Sequence, residues 1–307
     1  MSPISSDVTF SPKYHLPLDH SLYSLSEDES AFFKEQTGIQ GDAELKQHIL
    51  NIQAEAYAVH PYPCIHLFSW TRLKIARLSP YPDLLKLGKE RKGAIFLDIG
   101  CCFGNDLRKA IADGYPAQNV VASDLHKEFW DIGHKLFRDT PGTFPVSFIA
   151  GDAFSASHLD VVQPFTLAAP PSTPVPALST LTSLNPLRGH VSAVHASSFF
   201  HLFSEDGQAH LARAMAGLLT PQPGSIIFGQ HVGMPEKGTT APQMTWKGMF
   251  CHSPESWRAL WDGEIFEQGS VRVETELVKL ENEDMRKALQ VSPGSAFYLL
   301  TWSVTRL

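Results

Sequence analysis

Apolar side chains recur along this chain with two different periods. Leu45, Ile49, Ile52, Ala56 and Val59 are separated by steps of four, three, four and three residues. That spacing keeps one face apolar at 3.6 residues per turn. It predicts a helix over 42–60, capped by Asp42 and closed by Pro61 and Pro63. A second helical stretch over 65–78 stops at Pro80, and a short helix over 83–91 follows. From residue 94 the pattern becomes short apolar runs alternating with amphipathic stretches. The runs 94–99, 119–123, 146–150, 191–195 and 225–228 have the length and apolar content of buried strands. Residues 105–113, 125–137 and 205–219 read as helices between them. Ser253-Pro254-Glu255 opens another, with a serine cap and proline in the first turn.

The end of the chain has period two. Val271, Val273, Thr275 and Leu277 alternate with Arg272, Glu274 and Glu276, and Tyr298, Leu300, Trp302 and Val304 stand at every second position. These are strands of an edge or an antiparallel pair. Five β-α repeats followed by two long strands define an α/β protein. The proline-dotted stretches 1–19 and 164–176 read as an arm and a surface loop.

Composition narrows the function. The 307 residues carry 25 Lys and Arg against 32 Asp and Glu, a net charge of −7. That balance argues against a nucleic-acid partner, which needs a basic stripe. The four cysteines, Cys64, Cys101, Cys102 and Cys251, show no C-x-x-C spacing and no disulfide framework. The N-terminus has no basic and apolar leader, and no apolar run approaches the ~18 residues of a membrane span. A cytoplasmic protein without membrane contact is expected.

Three elements carry chemistry. Asp98-Ile99-Gly100-Cys101-Cys102-Phe103-Gly104 follows the first strand and leads into a helix. Glycines there let the backbone turn sharply and approach a ligand, although many such turns bind nothing. Asp124 ends the second strand, 26 residues after Asp98. It is placed to accept both hydroxyls of a ribose or to cap the next helix. Gly151-Asp152-Ala153 ends the third strand, where an aspartate can receive an adenine amino group or simply form a turn. Acidic and glycine residues thus collect at the carboxyl ends of three successive strands, where open α/β sheets bind ligands.

At this point the chain resembles the class I S-adenosylmethionine-dependent methyltransferases. The resemblance implies a Rossmann-like seven-stranded sheet whose last strand runs antiparallel. It places Asp98, Gly100, Cys101, Cys102 and Gly104 at the methionine part of S-adenosylmethionine. Asp124 and Leu125 then serve the ribose side, and Asp152 and Ala153 surround the adenine. The commoner turn has glycine where Cys102 stands. A narrower resemblance, to the fungal methyltransferases of meroterpenoid and related secondary-metabolite pathways, runs from about Ala31 to the C-terminus. It rests on residues 97–108 and 113–116, on Phe129-Trp130-Asp131-Ile132-Gly133 and Phe199-Phe200-His201-Leu202-Phe203, and on the stretch around Tyr57 and Tyr62-Pro63-Cys64-Ile65. It implies a homodimeric small-molecule O-methyltransferase, often acting on a carboxylate, with no metal. Residues 1–92 are expected to form an arm and helical lid, with Gln36 and Tyr57 closing over the cofactor, and 93–307 the catalytic domain.

For the acceptor, His201 is the first candidate and His231 the second, with His195 a weaker third. Each reads equally as a packed core histidine. Phe200, Met244, Trp246 and Phe250 are candidates to line an apolar acceptor pocket, and Trp257 and Trp261 read as packing. Asp106 and Arg108 open the helix after the turn and are expected to pair. O-methylation of a phenol and N-methylation stay open beside the carboxylate, as do two other classes: a nicotinamide-dependent oxidoreductase, against which the absent G-x-G-x-x-G counts, and a cofactor-binding regulator without catalysis.

Overall fold

The computed structural model describes residues 16–240, 248–281 and 296–307. The N-terminal part holds α1 (Glu27–Thr37), α2 (Asp42–Val59), α3 (Pro63–His66) and α4 (Tyr81–Glu90). The α/β part then runs β1 (Ile95–Ile99), α5 (Asn105–Ala112), β2 (Val120–Asp124), α6 (Lys127–Phe137), β3 (Ser147–Ala150), β4 (Val191–His195) and α7 (Glu205–Leu218). It continues through β5 (Ile226–Gly233), the two-residue strands β6 (Gly238–Thr239) and β7 (Phe250–Cys251), α8 (Pro254–Trp261), β8 (Val271–Lys279) and β9 (Tyr298–Arg306).

Seven strands form one sheet in the order β3-β2-β1-β4-β5-β9-β8. The first five are parallel, and β9 runs antiparallel between β5 and β8. Every residue of β1 and of β4 is buried, as central parallel strands require. Edge strand β8 instead alternates, with Val271, Val273, Thr275 and Leu277 less exposed than their neighbours. On one sheet face Leu97, Ile99, Val194, Ile227 and Val304 pack with Leu211 and Met215 of α7 and Trp257 and Trp261 of α8. On the other, Phe96, Ala122, Ala193 and Phe228 pack with Leu84, Leu107, Tyr115 and Trp130. The N-terminal helices form a third cluster with α6, in which Phe33 stacks on Phe137 at 5.8 Å. No described helix is long and apolar enough to cross a membrane.

Several local expectations are corrected. Gly41, rather than Asp42, caps α2. The helix expected over 65–78 breaks into α3 and two single 3-10 turns, because buried Phe68 takes a left-handed backbone (φ 53). His126 caps α6, so that helix starts at Lys127 rather than Leu125. Strand β5 extends to Gly233 because β9 pairs with it over eight residues. Arg108 does not pair with Asp106. It reaches Asp139, Nη2 donating at 3.0 and 2.8 Å to the two carboxylate oxygens, and its guanidinium lies over Phe144 and Phe137. Asp106 accepts the backbone N–H of Ile75 instead, at 3.0 Å.

Candidate active site at the strand tips

The turn after β1 is built on three left-handed residues, Gly100 (φ 71), Cys102 (φ 50) and Gly104 (φ 74). A Cβ on Gly100 would stand 2.7 Å from the ring of Phe199. Only glycine lets the turn and that ring share the space. The backbone N–H groups of Gly100 and Cys101 both donate to Ser123 O, at 2.8 and 3.2 Å, which ties the turn to β2. Cys102 carries an L side chain in a conformation that glycine adopts at no steric cost. Burial pushes the thiols of Cys101 and Cys102 well above the ordinary cysteine value, which favours their neutral form.

Asp124, at the tip of β2, is held by two loops. Its Oδ2 accepts the N–H of Cys102 at 2.9 Å and its Oδ1 that of His126 at 3.0 Å. Burial raises its carboxyl and the two amides pull it back. Each carboxylate oxygen has a second lone-pair direction, so the group retains capacity for two further donors, as a ribose diol supplies. Leu125 beside it is 55 % exposed. At the tip of β3, the N–H of Gly151 donates to Asp124 O at 3.0 Å. Exposed Asp152 accepts the N–H of Phe154 at 2.9 Å, and Ala153 packs against the core. The structure thus brings Gly100 to Gly104, Asp124, Leu125, Asp152 and Ala153 along three adjacent strand tips. A sharp glycine turn, an oriented carboxylate and an exposed apolar side chain fit the three parts of an adenosyl cofactor.

The N-terminal segment contributes aromatic rings to the β2 end. Tyr62 stacks on His60 at 4.1 Å, with Phe129 at 5.9 Å from Tyr62. Burial and then the charge of Asp124 raise the Tyr62 hydroxyl. Tyr57 lies on α2 beside His66, 6.0 Å between rings, and half-buried Gln36 lies near the end of α1.

The candidate histidines have different surroundings. His201 is buried, its Nδ1 3.4 Å from the N–H of Val232. Burial, and secondarily Lys74, press its pKa down to about 4. His231 is 1 % exposed and accepts Trp302 Nε1–H at 2.9 Å through Nδ1, with the Trp257 ring 4.7 Å away. Burial holds it well below the ordinary value. Both are thus neutral and enclosed by packed side chains. His195 is different. Its Nδ1 lies 2.8 Å from Asp98 Oδ1, and its Nε2 lies 2.7 Å from the hydroxyl of Ser197. Burial opposes its charge, but the Asp98 carboxylate outweighs that and raises its pKa.

Phe200, expected in an acceptor pocket, is fully buried and packs edge-on against Trp257 at 5.0 Å, so it is a core residue. Phe250 is half-buried on β7, and Met244 and Trp246 lie outside the described residues. Three residues the sequence reading missed stand at the tips. Phe199 covers the glycine turn. Ser197 ends the line from Asp98, and its place two residues after His195 is the one local hint. Lys74 lies between the two 3-10 turns, its Nζ 3.4 Å from Ser198 Oγ. Ser198 lies three residues past the end of β4, so this contact sets Lys74 beside that strand's tip.

Comparison with known proteins identifies the family. The family described as meroterpenoid methyltransferase N-terminal domain matches residues 18–71. The O-methyltransferase phiE of Fungal sp. (strain ATCC 74256) is 33% identical over 77% of this chain and 70% of its own length. The Asnovolin E/Chermesin D methyltransferase nvfJ of Aspergillus novofumigatus is 30% identical over 86% of this chain and 83% of its own. The methyltransferase adrK of Penicillium rubens is 30% identical over 93% of each chain. Among solved structures, a S-adenosylmethionine dependent methyltransferase from Mesorhizobium loti covers 76% of this chain and 100% of its own, at 15% identity and a TM-score of 0.41. On the strength of the curated relatives, the chain belongs to the fungal meroterpenoid and secondary-metabolite group of S-adenosylmethionine-dependent methyltransferases.

Proposed function

We propose that this enzyme methylates an oxygen of a small apolar natural-product acceptor, and that the oxygen belongs to a carboxylate, giving a methyl ester. Lys74 carries the reading. It is a half-buried ammonium that donates to a neutral hydroxyl, Ser198 Oγ, at 3.4 Å. A carboxylate arriving there gains a charge-assisted hydrogen bond in a place partly shielded from water.

S-adenosylmethionine, when bound, supplies a methyl group on a sulfonium. Asp124 would hold its ribose, Asp152 and Ala153 its adenine, and the 100–104 turn its methionine part. The remaining task of the chain is to hold the acceptor oxygen in line, about 3–3.5 Å from the methyl, with water excluded. Phe199 and Phe250 supply apolar surface for the acceptor. Neutral His201 is a candidate to position the acceptor, and His231 to support it from the core. The segment up to about residue 92, which packs on α6, serves as the lid that includes Gln36 and Tyr57. A homodimer and a cytoplasmic location complete the proposal, the first tested by light scattering and the second by fractionation.

The decisive test uses labelled methyl donor with a panel of lipophilic acids and phenols. Lys74→Gln should raise KM for acids by roughly 10- to 100-fold, the value of one charged hydrogen bond. Phenols should change little, and the affinity for S-adenosylhomocysteine should hold. Equal losses on acids and phenols would remove the carboxylate assignment. A loss confined to S-adenosylhomocysteine binding would move Lys74 to the cofactor's own carboxylate.

A further inference from the structure

Asp98, His195 and Ser197 form a continuous hydrogen-bonded line, Asp98 Oδ1 to His195 Nδ1 at 2.8 Å and His195 Nε2 to Ser197 Oγ at 2.7 Å. Asp98 and His195 are paired across the β1/β4 ladder, and both are almost fully buried. Ser197 is half-buried and lies past the tip of β4. It precedes Ser198, which Lys74 touches, and Phe199, which covers the glycine turn. The line therefore starts in the core and ends beside Ser198 and Phe199 at the tip of β4.

We propose that this line is a proton relay: Ser197 Oγ takes the proton of the bound acceptor's oxygen and passes its own to His195 Nε2. The inference rests on the acceptor site being at these strand tips. An O–H bond of the acceptor breaks and an N–H bond forms on His195. The imidazolium so formed is balanced by the Asp98 carboxylate, and the freed acceptor oxygen keeps the electron pair that forms the new bond to carbon. Ser197 ends as it began, so it is a catalytic group without being consumed. Asp98 is a positioning residue, which fixes Nδ1 as the protonated nitrogen and leaves Nε2 as the base.

The ligand chemistry is a protonated oxygen acid. A hydroxyl group needs such a base outright. A carboxylate paired with Lys74 arrives ionised and needs none, so the relay serves hydroxyl acceptors. The groups that bear on His195 are Asp98 of β1, Asp106 of α5 and Lys74; both carboxylates favour its charged form and the ammonium opposes it.

The test follows the histidine nitrogens by NMR in the full chain saturated with S-adenosylhomocysteine, from about pH 6 to about pH 9. His195→Gln assigns the signals. The expected result is a neutral ring at high pH, with the proton on Nδ1 and a bare Nε2 that protonates as the pH falls. Ser197→Ala should shift the Nε2 signal and lower turnover of phenols about 10²- to 10⁴-fold without changing S-adenosylhomocysteine affinity. Ser197→Thr, which keeps the hydroxyl, should restore much of that turnover. An Nε2 that stays protonated throughout, as in a fixed ion pair, would overturn the relay. So would full turnover of phenols in Ser197→Ala. Comparing phenols with acids identifies which oxygen gives up the proton. If no acceptor on the panel is methylated by the wild type, the acceptor reading fails while the NMR result still decides the relay.

Discussion

Asp98 and His195, 97 residues apart in sequence, stand side by side on adjacent parallel strands with carboxylate and imidazole 2.8 Å apart. Both side chains are within a few per cent of complete burial. A buried ionisable pair of this kind is strongly sensitive to removal of one partner.

Asp98→Asn keeps the size of the side chain but turns an obligate acceptor into a group that can donate. The Nδ1 proton of His195 loses its fixed partner. Turnover of phenols should fall about 10²- to 10⁴-fold, with the thermal midpoint changed far less than in Asp98→Ala. Asp98→Ala should cost about 3–5 kcal/mol in urea unfolding, because it strands a buried imidazole.

Asp124→Ala removes the acceptor for two backbone N–H groups, of Cys102 and His126, as well as the proposed ribose contacts. Calorimetric affinity for S-adenosylhomocysteine should drop at least ~10- to 100-fold, the value of one or more charged hydrogen bonds. Unchanged affinity would take Asp124 out of the cofactor site.

Cys102 sits at φ 50 beside glycines at φ 71 and φ 74. Cys102→Gly relieves the left-handed strain, about 1–2 kcal/mol, and gives back part of it through a more flexible unfolded chain. A net gain of up to about 1 kcal/mol is expected by chemical denaturation, with cofactor affinity retained. Cys102→Val should lose stability by a larger amount, because a β-branched side chain is poorly tolerated there.

Burial holds His201 and His252 down at about 4 and His231 well below the ordinary histidine value. The unfolded chain takes up protons at these positions near pH 6.5, where the folded chain does not. Stability should therefore rise with pH, and acidification from about pH 7 to about pH 5 should cost about 2 kcal/mol for each such histidine. His195 opposes the trend. Its folded value is raised, so its contribution is complete below the ordinary value and is lost as the pH rises through the folded one. The raised carboxyls of Asp98 and Asp124 oppose the trend too, toward the acid end, but the lowered histidines, which include His158, His190 and His210, are more numerous. Urea midpoints measured across this range should fall on the acid side, and His252→Gln should flatten the slope.

Much of the fold was legible because it is written in local periods. The 3.6-residue spacing located α2, and the period-two stretches located β8 and β9. Glycine and aspartate at the ends of apolar runs located the three strand tips, since burial of a parallel strand leaves polar chemistry only at its end. The break at Phe68 was not legible, because one buried ring overrode the helical pattern around it.

The sequence by itself determined the order of elements, the antiparallel ending and the strand tips where glycine and acidic residues collect. Tertiary structure decided which buried groups meet there. Strand register set Asp98 against His195, and a crossing segment set Lys74 above Ser198. Packing drew Phe200 and the ring of His231 into the core. The reason is physical: a helix or strand pattern depends on near neighbours, whereas a buried hydrogen bond depends on register between segments far apart in the chain.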